Sequence, residues 1–568
     1  MNIPDVVTLN REKLADAIVT NIHNLADDLH IKPLPQPWLP PLKKAIYVQD
    51  LRTEDFKVLW QKSHQGSLSA IFGMVDLPSQ QAQEVISHDF DKDGNLVLYS
   101  APGMGKSTFL QTLIMDLARQ NKPDQLHVYL LDFGTNGLLP LQGLPHVADS
   151  IILDENEKIS KFVLRMQGTL AERKKLLAAH HVSTISMYRQ VSGDYLPEIL
   201  IAVDSYDGVR DAELSEQLES ILQVLSRDGS SLGINLVITA ARLGILKMGL
   251  QSNVKTRLTL KLTDDSESRT IMGRHDYTME DQPGRGLIHL DDVEVFQVTL
   301  PARGQDSIAV LQALQDEAKA MSASWQGARP QSIPIVPEEL SFDAFMAHDS
   351  VQEAIKHDEL PLGLDMVSVE NVSVDVKRFR QMAYLSDRDD ALVVITKHLI
   401  RTINQSNAMS LMLLDADQRF SEFEALSRTY LSGPQLADMA KQLVHECKER
   451  ESKTDYRTWA VVIPDFEAFV NLTNLAIDDI NYLLDKGPQV GIHLVIGSHY
   501  NYIGAKQDAI NKSVKEKIQI VLLGMKLNDQ SFLEKVYNGR EEHPAVDEVY
   551  LHNKEVAKKI KITYEEDL

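Results

Sequence analysis

A glycine loop set between an apolar run and a helical pattern limits this chain to a small group of folds. Ser100-Ala101-Pro102-Gly103-Met104-Gly105-Lys106-Ser107 follows Leu96-Val97-Leu98-Tyr99 and opens into Thr108-Phe109-Leu110-Gln111-Thr112-Leu113-Ile114. The pattern predicts strand, loop and helix in succession. At such a junction the backbone N–H groups of the loop and of the helix start converge on one point, which is what an anion needs. Gly103 and Gly105 allow close backbone approach, Lys106 supplies a point charge for phosphates, and Ser107 offers a hydroxyl to magnesium. The loop from Ser100 to Thr108 is therefore the expected ATP site, although Ser100 stands where the pattern asks for its first glycine. A glycine turn that merely precedes a helix is the bland alternative, and both flanks argue against it.

The 568 residues exceed what one core accommodates, so two or more domains are expected. No apolar run reaches the ~20 residues that cross a bilayer, and the N-terminal residues do not read as a signal peptide. The single cysteine, Cys447, rules out an internal disulfide framework. It falls in a helical pattern, where packing is a better reading than reactivity. Asp and Glu outnumber Lys and Arg by 81 to 58, a net charge of −23. That average field opposes polyanions, so DNA is disfavoured as cargo.

Apolar residues Leu14, Ile18, Ile22, Leu25 and Leu29 keep helical spacing, which predicts an amphipathic helix packing on a neighbouring domain. The proline-rich stretch Pro33–Pro41 must be extended and is expected to strap across the following core. A hairpin is expected around Asp91-Lys92-Asp93-Gly94. Val128–Asp132, Ile199–Asp204 and Gly233–Thr239 read as buried parallel strands, with helical patterns over Ile159–Leu177 and Glu213–Leu225 between them. That alternation implies a doubly wound α/β sheet whose ligands bind at the carboxyl ends of the strands. Asp204 ends such a strand and is a candidate magnesium holder, with an ordinary turn cap as the alternative. Brisk ATPases carry Glu at the next position. Here Ser205 stands there, and Asp207 is the remaining candidate to orient water, so binding is expected and hydrolysis is expected to be weak or absent.

Ser324–Pro337 reads as a linker, after which the first half returns in altered form. Leu413-Leu414-Asp415 repeats Leu130-Leu131-Asp132, Gly491–Ile496 repeats Gly233–Ile238, and Val514–Ile518 matches Val254–Leu258. In the same frame Leu392 and Val393 replace Lys106 and Ser107, Asp389 replaces Gly103, and Pro464 replaces Asp204. Asp387, Asp389 and Asp390 would repel a triphosphate. The expected layout is an N-terminal helix and arm over 1–65, an intact module over 66–324, a linker over 325–337 and a degenerate module over 338–568.

The runs GMVDLPSQQ from Gly73, SAPGMGKST, LLDFG, GLPHV and GINLVIT resemble the FtsK/SpoIIIE translocase ATPases, as do VKTRLTLKL, DDSESRTIMG and PGRGLIHL further on. Within that superfamily the likeness is greatest to the type VII (ESX/Yuk) secretion ATPases of the EssC/EccC kind, at their second and third modules. The resemblance implies two tandem RecA-like P-loop domains, the second degenerate, with ATP and Mg²⁺ as cofactors. It implies a segment at the cytoplasmic face of the membrane, partnered by other modules and membrane components and able to form hexameric rings. Small helical Trp-x-Gly proteins would be the exported substrates, recognised through the terminal module. Arg257 would face a neighbour's phosphates as an arginine finger; a local ion pair is an equal reading of that residue. Thr239-Ala240-Ala241-Arg242 departs from the DNA-translocase pattern by Ala241 in place of glutamine. A DNA pump is the alternative function.

Overall fold

The computed structural model describes residues 14–30, 39–62, 67–378, 380–453, 455–506, 508–531, 541–552 and 557–565. The chain divides into two units, Met1–Ile333 and Pro334–Leu568. Each is built on a ten-stranded sheet.

The first sheet comprises β1 (Ser69–Leu77), β2 (Ala82–Asp89), β3 (Leu96–Tyr99), β4 (Leu126–Asp132), β5 (Val147–Ile152), β6 (Glu198–Asp204), β7 (Ile234–Ala240), β8 (Thr256–Leu260), β9 (Arg285–His289) and β10 (Val293–Val298). Their spatial order is β2-β1-β10-β9-β8-β3-β7-β6-β4-β5. From β8 to β5 the strands are parallel, and from β8 back to β2 they are antiparallel. The parallel strands read as unbroken apolar runs because helices cover both faces; β3, β6 and β7 are buried throughout.

The second sheet comprises β11 (Glu359–Asp365), β12 (Asn371–Asp375), β13 (Met382–Ser386), β14 (Met409–Asp415), β15 (Thr429–Ser432), β16 (Thr458–Ile463), β17 (Ile492–His499), β18 (Ile520–Leu523), β19 (Glu548–His552) and β20 (Ala557–Lys561). Its order, β12-β11-β20-β19-β18-β13-β17-β16-β14-β15, repeats that of the first sheet strand for strand. The repeat extends to single side chains. Asn95 donates to the Ser226 carbonyl and accepts from Leu236 N, while Gln381 donates to the Leu483 and Leu484 carbonyls and accepts from Leu494 N. Buried Arg173 and Arg450 each tie a helix to the carbonyls that precede the neighbouring strands.

Two expectations are corrected. No hairpin forms at Asp91–Gly94: Phe90–Asp93 is a single helical turn, and β2 and β3 lie far apart in the sheet. The hairpin joins β1 to β2 through Pro78–Gln81, with Gln81 in the left-handed region at φ 51°. The third repeat match is out of register. Leu96 pairs with Val237 and Thr256, and Met382 pairs with Val495 and Ile520. Thr256 therefore corresponds to Ile520, four residues beyond the position matched by sequence. Val514 instead lies in the helix Ala509–Lys517.

The N-terminal helix α1 (Leu14–Asp28) forms, with Ile18, Val19, Ile22 and Leu25 in the open, Ile22 61% and Leu25 60% exposed. Residues 33–38 of the proline-rich stretch lie outside the described residues. Downstream of them, Leu42, Ile46, Val48, Phe56 and Trp60 are buried. Trp60 donates to the Ala118 carbonyl, and Arg52 pairs with the fully buried Asp116 on the helix α2 (Lys106–Gln120) that follows the glycine loop. Cys447 is buried, and burial pushes its thiol up to about 11, in keeping with a packing role.

Candidate nucleotide-binding site

The loop between β3 and α2 is held by its neighbours on both sides. Ser100 N donates to the Ala240 carbonyl at the end of β7, and Ala101 N to the Lys261 carbonyl just past β8. Gly284 N donates to the Met104 carbonyl at 2.9 Å, a strap from the turn before β9. Gly103 and Gly105 have φ of +78° and +108°, a region that side chains disfavour. Nothing lies within 4 Å of where a Cβ on Gly103 would sit, so the loop's outer side is open. No acidic residue stands in the first turn of α2. Exposed Pro102 and half-buried Met104 and Thr108 complete the loop. Ser100 is buried and donates its hydroxyl to the Ala101 carbonyl, so the residue in the first-glycine position is a packed anchor.

Lys106 Nζ donates to the Ser100 and Ala101 carbonyls at 2.9 and 3.3 Å. Burial lowers its pKa, with the Asp204 and Asp207 carboxylates opposing. Ser107 Oγ donates to Asp204 Oδ2 at 2.5 Å, and Thr239 Oγ1 donates to Asp204 Oδ1 at 2.6 Å. Burial raises the Asp204 pKa, and those two hydrogen bonds act against the rise. The structure thus brings Lys106, Ser107 and Asp204 together from α2 and β6, with Asp207 close enough to act on Lys106. Asp207 Oδ2 accepts from Ala241 N at 2.8 Å. Ser205 adopts φ +56°, its N–H held by Thr239 Oγ1 at 2.9 Å. Arg257 is not brought to the site: it lies at the start of β8, opposite Val97, and donates to the Gln251 carbonyl.

Glycine backbone freedom, an open outer face, a lysine and a part-buried hydroxyl–carboxylate pair suit a polyphosphate with magnesium. Lys106 and the loop N–H groups would hold phosphate oxygens, and Ser107 and Asp204 would hold the metal, which supplies charge neutralisation there.

The corresponding place in the second unit is built differently. Helix α3 (Asp389–Gln405) begins at the position of Gly103, so its first turn replaces the loop and carries Asp389 and Asp390. No residue from Ser386 to Val393 has positive φ. Leu392, Val393, Arg419, Pro464 and Asp465 line a cavity of about 50 Å³ there, small beside the ~300–1,000 Å³ of ligand sites.

Sequence reasoning missed the loop after β4. Asp132 accepts from Gly134 N and Leu138 N, and Gln111 of α2 donates to the Gly137 carbonyl at 2.7 Å. In the sequence only the LLDFG run, ending at Gly134, and the paired glycines of Gly134-Thr135-Asn136-Gly137 marked it.

This fold and site define a P-loop ATPase: residues 59–286 match the model of the FtsK/SpoIIIE family, and the chain belongs to its type VII secretion branch, that of EssC and YukB. It is 28% identical over 564 residues to the type VII secretion system protein EssC of Staphylococcus aureus (strain MSSA476), covering 98% of this chain and 38% of that protein. To the ESX secretion system protein YukB of Bacillus subtilis (strain 168) it is 33% identical over 390 residues, 68% of this chain and 25% of YukB. The chain thus spans well under half the length of these relatives. Among solved structures, ATPases 2 and 3 of EssC from Geobacillus thermodenitrificans match at TM-score 0.81 and 26% identity, over 92% of this chain and 99% of that one. ATPases 2 and 3 of Thermomonospora curvata EccC, solved in complex with a signal sequence peptide, share the fold at TM-score 0.59 and 20% identity, over 93% of this chain and all of that one.

Proposed function

We propose that the first unit binds ATP with magnesium through Ser100–Thr108, and that the chain is the paired-ATPase segment of a type VII secretion translocase. The observation that carries the nucleotide reading is the positive-φ glycine loop leading into Lys106, with the Ser107–Asp204 pair beside it. Lys106 holds phosphate, Ser107 and Asp204 hold the metal, and Asp207, anchored on Ala241 N, orients water. Hydrolysis is slow, because Ser205 supplies no carboxylate and its left-handed backbone is fixed by Thr239. The second unit takes no nucleotide, since a helical turn with two aspartates fills the phosphate position. That leaves it the substrate-recognising partner; the similarly folded ATPases 2 and 3 of Thermomonospora curvata EccC, as a pair, were solved in complex with a signal sequence peptide. The segment acts at the cytoplasmic face of the membrane and supports export of small helical Trp-x-Gly proteins. Among the described residues no helix is long and apolar enough to cross a membrane.

Calorimetric titration with ATP and magnesium tests the nucleotide reading. One site per chain is expected, abolished in Lys106→Ala; two sites, or none, overturn it. A phosphate-release assay on the same samples measures turnover. A pull-down comparing a small helical secreted protein with a labelled DNA duplex tests the cargo, and retention of the duplex alone would point to a DNA pump.

A further inference from the structure

Gly137 lies directly against the side chains assigned to magnesium. A Cβ on it would come within 2.5 Å of Ser107 Oγ, 2.6 Å of Ser107 Cβ and 3.2 Å of Asp204 Oδ2. Carbon contacts of this kind settle at about 3.5–4.0 Å, so an added methyl group must displace either the hydroxyl or the loop. Retreat of the loop is blocked on several sides. The Gly137 carbonyl is bound by Gln111, Leu138 is buried with its N–H on Asp132 Oδ2, and Asn136 holds a left-handed φ of 59°. Next to it, Gly134 faces Ser205 equally closely, 2.7 Å from a Cβ to Ser205 Oγ. The loop after β4 is therefore fitted onto both Ser107 and Ser205.

The second unit supplies an internal comparison. Asp415 accepts from Phe420 N as Asp132 accepts from Leu138 N, and Gln418 at φ 57° matches Asn136. In that alignment Arg419 stands at the place of Gly137, and Val393 at the place of Ser107. Glycine occurs where a hydroxyl needs space; a long side chain occurs where the hydroxyl is absent.

We infer that Gly137 is a positioning residue for magnesium: its bare backbone, clamped by Gln111, sets where the Ser107 hydroxyl and the Asp204 carboxylate stand. The inference rests on the nucleotide reading above. It concerns the metal first, since the atoms nearest a Cβ at Gly137 are those of Ser107 and Asp204, the two side chains assigned to it.

Nucleotide affinity measured with magnesium and again in EDTA separates the two contributions. In the unaltered chain magnesium is expected to tighten binding. In Gly137→Ala that gain is expected to fall by at least about tenfold, the lower end for disturbing groups that orient metal ligands, while affinity in EDTA is unchanged. A full magnesium gain in the variant overturns the inference, and so does an equal loss under both conditions, which would mark a merely structural role. Absence of binding by the unaltered chain instead overturns the nucleotide reading itself. Should Gly137→Ala fail to fold, Gln111→Leu frees the Gly137 carbonyl without touching Ser107. A selective loss of the magnesium gain there supports the inference, and an intact gain overturns it.

Discussion

Thr239→Val tests how the site is held together. The Thr239 side chain is fully buried, and its one hydroxyl does two jobs, donating to Asp204 Oδ1 and accepting from Ser205 N. Valine keeps the shape and removes both bonds. A hydrogen bond to a charged group contributes about 1.5–3 kcal/mol, and a buried N–H left without an acceptor costs about 1–3 kcal/mol. The expected loss is therefore about 3–5 kcal/mol in the first unit. For a unit of this size that is roughly 4–7 °C in its melting midpoint, at about 2 cal/mol/K per residue. Thr239→Ser keeps the hydroxyl and loses one methyl group, about 1 kcal/mol. There is also a functional signature. The Thr239 bond holds the Asp204 pKa down against burial, so its loss raises that pKa further. Magnesium-dependent nucleotide binding should then fail at a higher pH in Thr239→Val than in the unaltered chain. The assays are urea denaturation followed by a first-unit probe, and nucleotide titration across pH. A valine variant as stable as the serine variant, with an unmoved pH profile, would refute the reasoning.

Acid sensitivity follows from two fully buried histidines. Burial holds His146 and His398 at about 4, below the ordinary 6.5 they regain on unfolding. Because the unfolded chain binds the extra protons, stability is full above pH 6.5 and declines as pH falls towards 4, by about 2 kcal/mol per histidine at pH 5. Urea midpoints at neutral and acid pH read this directly, and His398→Gln should weaken the dependence in the second unit alone, where His493 and His552 are also lowered by burial. Restoring the lost side chains in the second unit, as Leu392→Lys with Val393→Ser, should not create a nucleotide site, because the first turn of α3 still fills the loop's place. Calorimetry that found a second ATP equivalent in this double variant would contradict that.

Much of the candidate site was legible in the chain itself, for a local reason. Strand, loop and helix are consecutive, so Leu96–Ile114 alone dictates a glycine turn opening a helix, and Lys106 and Ser107 need only short-range spacing to be placed. Asp204 was readable because a wholly buried parallel strand has no other polar residue at its carboxyl end. The repeat was legible wherever it kept buried strands, as in Leu130–Asp132 and Leu413–Asp415. It failed at Val514, where a polar-apolar run suits helix and strand alike, and only pairing with β13 identifies Ile520 as the strand residue.

Contacts distant in sequence were decided by the tertiary fold. That Gly284 straps Met104, that Thr239 braces Asp204, and that Gly137 backs Ser107 depends on the order β9-β8-β3-β7-β6-β4 across the sheet, which local pattern does not carry. The false hairpin at Asp91–Gly94 has the same origin. Turn residues fix a change of direction, but whether the next strand pairs beside the last or crosses the sheet is settled by which face it can bury. The sequence by itself determined which residues can grip an anion. Tertiary structure decided which glycines stand close enough to leave room for that grip, because steric clearance is a property of neighbours in space and not along the chain.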